Sequence, residues 1–246
     1  MSQTHPVALI TGAARRIGAV IARTLHAAGY DLALHCHNSR AELDALIGEL
    51  ETQRRNSILA LQADLADAER LPVLIETTLA RFGRLDALVN NASIFHQTPV
   101  GTITPEAWDA FFAANARAPL LLSQAAAPHL KMSRGAIVNI TDIYAERPLP
   151  QHAVYCMSKA ALRMATLALA QELGPEVRVN AVAPGNVLWS ENPVKAETPQ
   201  ILIEQTALQR QGTPQDIADA VLWLIHDAGY VTGQTIRVDG GRILGA

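Results

Sequence analysis

One pattern runs the length of this 246-residue chain and constrains its fold most: short, β-rich apolar runs alternate with stretches of helical periodicity. The runs predict strands at 7–11, 31–36, 58–63, 87–90, 136–141, 177–182 and 235–238. Helices are predicted between them at 16–28, 41–52, 68–82, 105–130, 152–173 and 214–225. Strands that are apolar on both faces and separated by helices specify a parallel sheet covered on both sides. The expectation is therefore an α/β, doubly wound chain: a single domain over 1–246, with a seven-stranded parallel sheet. Ligands of such sheets bind beyond the carboxyl ends of the strands. The chemically informative residues fall there: Gly12, His37, Asp64, Asn91, Asp142 and Gly185. Weak periodicity and prolines at 193 and 199 set the stretch 186–205 apart as a predicted mobile flap over a substrate.

Thr11-Gly12-Ala13-Ala14-Arg15-Arg16-Ile17-Gly18 follows the first apolar run and opens the first helix. A strand, a glycine turn and a helix start form a seat for a dinucleotide pyrophosphate on backbone N–H groups. Short glycine turns also arise for steric reasons alone, so this signal depends on what accompanies it. Arg16 stands where such loops commonly carry their middle glycine. It puts a permanent positive fork beside phosphate, or beside a substrate lying on the cofactor.

Composition narrows the classes. Apolar residues make up 49% and charged residues 17%, enough for a large core, and a net charge of −3 gives no reason to expect nucleic acid or an anionic membrane as partner. No run approaches a membrane span, and the N-terminus lacks a charged-then-apolar signal pattern. Cys36 and Cys156 build neither a disulfide framework nor a zinc set, and the histidines lack ligand spacing, so no metal is expected and a reducing cytoplasm is.

Tyr155 and Lys159 are four apart on a predicted helix and project from one face. An ammonium near a phenol lowers its pKa and makes it a usable proton donor. The second strand ends His35-Cys36-His37-Asn38-Ser39-Arg40, without the acid that would bind both ribose hydroxyls of NAD. These groups suit a 2′-phosphate, so NADP(H) is the expected cofactor, although strand-end histidines are often only hydrogen-bonded surface residues.

Taken with Asn90-Asn91-Ala92, Asn115 within Asn-Ala-Arg-Ala-Pro, Asn180 and Pro184-Gly185, the chain resembles the short-chain dehydrogenase/reductase family, a Rossmann fold, over nearly its whole length. The resemblance implies Tyr155 as general acid and Lys159 as the residue that tunes it and holds the nicotinamide ribose. It implies Asn115 as support for a proton-relay water. It also implies cofactor contacts from Gly12, Arg15, Arg16, Ile17, Gly18, Asp64, Leu65, Asn91, Ala92, Ser93, Pro184, Gly185 and Val187.

The departures are informative. Asp142 occupies the position thirteen residues before the tyrosine where the family usually has serine. A carboxylate only accepts hydrogen bonds unless protonated, so Asp142 suits a substrate presenting N–H donors, or a ring nitrogen awaiting a proton. The bland alternative is a helix-capping aspartate in a degraded family member. With Arg16, Ser93 and Phe95, the pattern is similar to the pteridine reductases, including bacterial dihydrofolate and dihydromonapterin reductases of this fold. In that subfamily an aromatic at the Phe95 position stacks a pterin against the nicotinamide, and the matching serine and arginine bond pterin and cofactor phosphates. Phe95 can also be read as core packing and Ser93 as a turn residue.

The resemblance further implies substrate contacts from Leu188 and Trp189, though Trp189 could equally pack under the flap. It implies a homotetramer paired through the helices at 105–130 and 152–173, with Arg242 reaching a neighbouring site. The alternative within enzymes is a reductase of 3-oxoacyl thioesters or another small ketone. Outside enzymes it is a non-catalytic NADP-binding protein.

Overall fold

The computed structural model describes residues 5–187 and 199–245. Seven strands form one parallel sheet in the order β3-β2-β1-β4-β5-β6-β7. They are β1 (Val7–Ile10), β2 (Asp31–Cys36), β3 (Ile58–Gln62), β4 (Ala87–Asn90), β5 (Ala136–Ile140), β6 (Arg178–Pro184) and β7 (Thr235–Val238). Every residue of β1, β4 and β5 is buried, as expected for strands covered on both faces. β1 sits between β2, with Val7 opposite Asp31, and β4, with Ala8 opposite Ala87. The chain winds outward from β1 to β3, then crosses back to lay β4 on the other side of β1. The strand order reverses there, and the carboxyl ends of β1 and β4 open a crevice.

Helices α1 (Arg16–Ala27), α2 (Arg40–Gln53) and α8 (Pro214–His226) pack on one face, where Ile21, Leu25, Leu43, Leu50, Ile217 and Leu224 form an apolar cluster. On the other face α3 (Arg70–Phe82), α5 (Ala118–Ser133) and α6 (Ala153–Leu173) bury Leu71, Leu74, Leu122, Leu130 and Leu169. Local chemistry sets several ends. Thr213 and Asp216 form a capping box at α8, Thr104 caps α4 (Pro105–Phe112), and Gly83 closes α3 in the left-handed conformation at φ +75°.

One expectation needs correction. The helix predicted over 105–130 is α4, a π-helical turn at Ala113–Arg117, then α5. Pro119 has no N–H to give the carbonyl of Asn115, four residues earlier, which weakens the regular helical ladder at this point. The stretch 186–205, predicted as a mobile flap, includes among its described residues a short helix, α7 (Pro199–Glu204). Leu188, Trp189, Glu191 and Lys195 lie outside the described residues. Among the described residues no helix is long and apolar enough to cross a membrane.

Candidate active site

The glycine turn is fastened to the end of β4. The Thr11 hydroxyl accepts from the N–H groups of Asn91 and Ala92, each at 3.0 Å. The Asn91 amide donates back to the carbonyls of Thr11 and Gly12, each at 2.9 Å. This closeness explains the glycines. Gly12 has φ +62°, and a Cβ on it would lie 2.9 Å from the Ala92 Cα. A Cβ on Gly18 would lie 2.2 Å from the Gly12 carbonyl oxygen. Arg16 adopts φ +53° and begins α1; Arg15, in the N-cap position, makes no side-chain cap, and the first turn holds no acid. The start of α1 therefore has the chemistry of an anion seat, backbone donors without a competing carboxylate.

His35, counted above among the phosphate contacts, is placed otherwise. It is 1% exposed, with Nδ1 3.3 Å from the Gly12 N–H and Nε2 3.1 Å from the Ala63 carbonyl. Both ring nitrogens are engaged beneath the turn, so the structure gives it a scaffold position and leaves His37 as the strand-end histidine facing solvent. His37 Nε2 lies 3.9 Å from Asp64 Oδ2. Ser39 precedes α2 in the N-cap position without a side-chain cap. Arg40 pairs with Asp44 at 2.8 Å, and Arg15 reaches from the glycine turn to within 4.0 Å of Glu42. Asn38, Ser39, Arg40 and Arg15 thus surround the end of β2, with no acid between His35 and Arg40. Asp64 accepts from the Ala66 N–H at 2.9 Å, while the Leu65 side chain is buried.

The carboxyl end of β5 and the start of α6 carry the reactive groups. Tyr155 Oη donates to Asp142 Oδ2 at 2.6 Å, and Asp142 Oδ1 accepts from the Tyr144 N–H at 2.9 Å. Asp142 does act as a cap, for the 3-10 turn Ile143–Ala145, yet its second oxygen is committed to the phenol. Burial, more than any other influence, raises the Asp142 pKa, against the lowering effects of Tyr155, the Tyr144 N–H and Lys159. The Tyr155 pKa is raised well above the phenol range, by burial first and then by Asp142.

That corrects the expectation that Lys159 brings the phenol down. Lys159 Nζ donates to the Ile140 carbonyl at 2.9 Å and lies 5.8 Å from the Tyr155 ring centre. Its own pKa is lowered to about 8 by burial, with Asp142 opposing. Tyr155 holds its proton throughout the neutral range and shares it with a carboxyl that is itself hard to ionise.

Asn115 sits in the π turn, where its Oδ1 accepts from the Ile94 N–H at 2.9 Å and its Nδ2 donates to the Ile94 carbonyl at 3.1 Å. Nδ2 also reaches Ser158 Oγ at 3.0 Å, and Ser158 donates to the Tyr155 carbonyl at 2.7 Å. Asn115 therefore couples the β4 loop to the catalytic helix.

Phe95 is 52% exposed, which removes the core-packing reading. It meets Tyr155 edge-on, with centroids 4.7 Å apart at 83°, and stacks on His152 at 4.7 Å and 12°. Ser93 is also exposed, its hydroxyl 3.3 Å from the Ile94 carbonyl. Sequence reasoning missed His152, Ser158 and Thr11. Only the helical spacing of His152 from Tyr155 could have hinted at the first.

At the end of β6, the Gly185 N–H donates to the Val238 carbonyl at 3.1 Å, and Val187 is buried. Arg242, expected to reach a neighbour, is buried in its own chain in the 3-10 turn Arg242–Leu244.

A family profile described as Enoyl-(Acyl carrier protein) reductase matches residues 12–242. Pteridine reductase 1 of Leishmania tarentolae is 35% identical, with 99% of this chain and 98% of that protein covered. A 3-oxoacyl-[acyl-carrier-protein] reductase of Synechocystis sp. is 36% identical, with 98% of both chains covered. Among solved structures, a blue fluorescent protein from a metagenomic library in complex with NADPH matches with a TM-score of 0.90 at 35% identity, covering 98% of this chain and 99% of that one. The chain belongs to the short-chain dehydrogenase/reductase family and is an NAD(P)H-dependent oxidoreductase. The uncapped start of α1, and a turn whose glycines cannot carry a Cβ, fit such a cofactor.

Proposed function

We propose that this protein is an NADPH-dependent pteridine reductase, converting dihydropterins, and by the same chemistry dihydrofolate, to their tetrahydro forms. The observation that carries the reading is the 2.6 Å bond between Tyr155 Oη and Asp142 Oδ2. A hydroxyl in place of Asp142 would polarise a ketone, whereas a carboxylate beside a developing alkoxide would repel its charge. A ring nitrogen needs a proton, and this pair holds one. The bound cofactor supplies a hydride to the carbon of the substrate's C=N bond. Tyr155 gives its phenolic proton to the adjacent nitrogen, and a proton taken up from solvent restores the Tyr155–Asp142 pair. Lys159 and Asn115 hold the groups around Tyr155, and Phe95 offers an exposed ring for a flat heteroaromatic substrate, with Arg16 and Ser93 at the cofactor side.

The absence of an acid at the end of β2, together with Arg15, His37, Asn38, Ser39 and Arg40 around it, supports NADP(H) over NAD(H). We read the chain as one domain that assembles as a homotetramer. The competing reading, reduction of a 3-oxoacyl thioester, draws on the 36% identity to the Synechocystis enzyme, against 35% to the Leishmania pteridine reductase. NADPH oxidation with dihydrobiopterin, dihydrofolate and an acetoacetyl thioester, beside a Tyr155→Phe control, separates the two. Pterin turnover lost in the variant is expected. Turnover of the thioester alone would refute the proposal.

A further inference from the structure

The His35 ring joins the carboxyl ends of three adjacent strands. It rises from β2 and meets the Gly12 N–H beyond β1 at 3.3 Å and the Ala63 carbonyl beyond β3 at 3.1 Å. The His35 carbonyl also accepts from the Ala13 N–H at 2.8 Å, so the residue holds the turn through both side chain and backbone. The partners fix the proton. An N–H only donates and a carbonyl only accepts, so Nδ1 is the bare nitrogen and Nε2 carries the hydrogen. A second proton on the ring would set an N–H against the Gly12 N–H. Among the described residues no other side chain accepts from that group.

We propose that His35 is a positioning residue for the dinucleotide: its neutral ring holds the Gly12 turn from beneath, and taking up a proton releases that turn and weakens cofactor binding below neutrality.

The surroundings agree with a ring kept neutral. Burial lowers the His35 pKa most; His37 on its own strand end lowers it further, and Asp64 beyond β3 and the Ala63 carbonyl oppose. His37 and Asp64 lie 3.9 Å apart and offset one another. Arg15, from the turn itself, is directed to Glu42 at 4.0 Å. Release of the turn would be felt directly at the pyrophosphate, because the Gly12 carbonyl lies under Gly18 and is held by Asn91.

Two variants divide the ring's functions. In His35→Asn the amide oxygen can replace Nδ1 as the acceptor for Gly12 and cannot be protonated at neutral or mildly acid pH. In His35→Gln the longer amide reaches toward Ala63 and leaves Gly12 without a matched acceptor. The probe is NADP⁺, its dissociation constant measured by calorimetry from pH 5.5 to 8. The 2′-phosphate also titrates in this range, but it does so in every variant and cancels in the comparison.

Wild type and His35→Asn should bind alike near pH 8, and the wild type should weaken at least threefold more than His35→Asn once the pH falls below the His35 pKa read from its imidazole nitrogen resonances. His35→Gln should bind at least threefold more weakly than wild type at pH 8. Parallel pH curves for wild type and His35→Asn, or wild-type affinity in His35→Gln at pH 8, would overturn the proposal.

A measurement on the unmodified protein guards against variants that misfold. Coupling is reciprocal, so bound NADP⁺ must lower the His35 pKa, read from its imidazole nitrogen resonances. An unshifted titration would also overturn the proposal.

Discussion

Replacing Tyr155 by Phe removes the side-chain donor to Asp142 Oδ2, and the consequence for stability can be worked from the geometry. The bond is 2.6 Å long and its acceptor carboxyl is buried, the setting in which a hydrogen bond to a charged group contributes about 1.5–3 kcal/mol. At about 2 kcal/mol, and about 2–4 °C per kcal/mol for a chain of this size, Tyr155→Phe should lower Tm by about 4–8 °C at pH 8. In an Asp142→Asn background the same replacement deletes a bond between neutral groups, worth about 1 kcal/mol, and the drop should be about 2–4 °C.

The pH dependence gives a second check. Tyr155 lowers the Asp142 pKa by its hydrogen bond, so removing it raises that pKa further. A carboxyl whose folded pKa is raised above its unfolded value favours the folded state when protonated, and that advantage is lost as pH rises through the folded pKa. At lower pH Asp142 in Tyr155→Phe escapes by holding a proton, so the deficit should grow as pH rises through its raised pKa. The assay is thermal unfolding of the four proteins at one protomer concentration, since association would shift Tm by mass action. Equal Tm losses in both backgrounds, independent of pH, would show that Asp142 and Tyr155 are not coupled and would remove the basis for the shared proton.

Phe95→Ala should raise KM for a dihydropterin about three- to tenfold, matching an aromatic stacking loss of about 0.5–1.5 kcal/mol, with Tm unchanged because the ring is half exposed; an unaltered KM in steady-state kinetics would remove it from the substrate platform. Lys159 has a pKa lowered to about 8, so its ammonium is lost as pH rises through that value. The pH–rate profile should fall above about pH 8, and in Lys159→Arg any remaining activity should lose that alkaline limb. Gly18→Ala puts a methyl 2.2 Å from the Gly12 carbonyl oxygen and 2.7 Å from Asn91 Nδ2, so the turn must shift by about an ångström. Overpacking of this kind costs about 1–3 kcal/mol, and calorimetry should show NADPH affinity reduced at least tenfold.

How far the sequence discloses this molecule depends on which interactions set each feature. The sheet and its covering helices were legible because burial on two faces leaves a continuous apolar run, and β1, β4 and β5 carry that signature without interruption. The π turn was not read, although Asn115 and Pro119 both stood in view. Periodicity averages over a window, whereas the defect comes from one missing N–H and from side-chain bonds to Ile94 and Ser158, residues distant in sequence. The Lys159 effect on Tyr155 failed for a related reason. Spacing along a helix places two groups on one face but says nothing of the burial that dominates both pKa values, or of the Ile140 carbonyl that claims the ammonium.

His35 shows the same limit in the cofactor site. A histidine at the end of β2 reads as a phosphate contact from its position alone; its ring turns inward because the Gly12 N–H and the Ala63 carbonyl are both within reach there. Asp142 is the opposite case. Its departure from serine was visible as a change of hydrogen-bonding capacity, and a carboxyl that must be buried beside a tyrosine can only be accommodated by sharing a proton with it. In this fold the sequence discloses which groups are present at the strand ends. The direction each group faces, and the proton it holds, are decided by backbone donors and acceptors contributed by neighbouring strands.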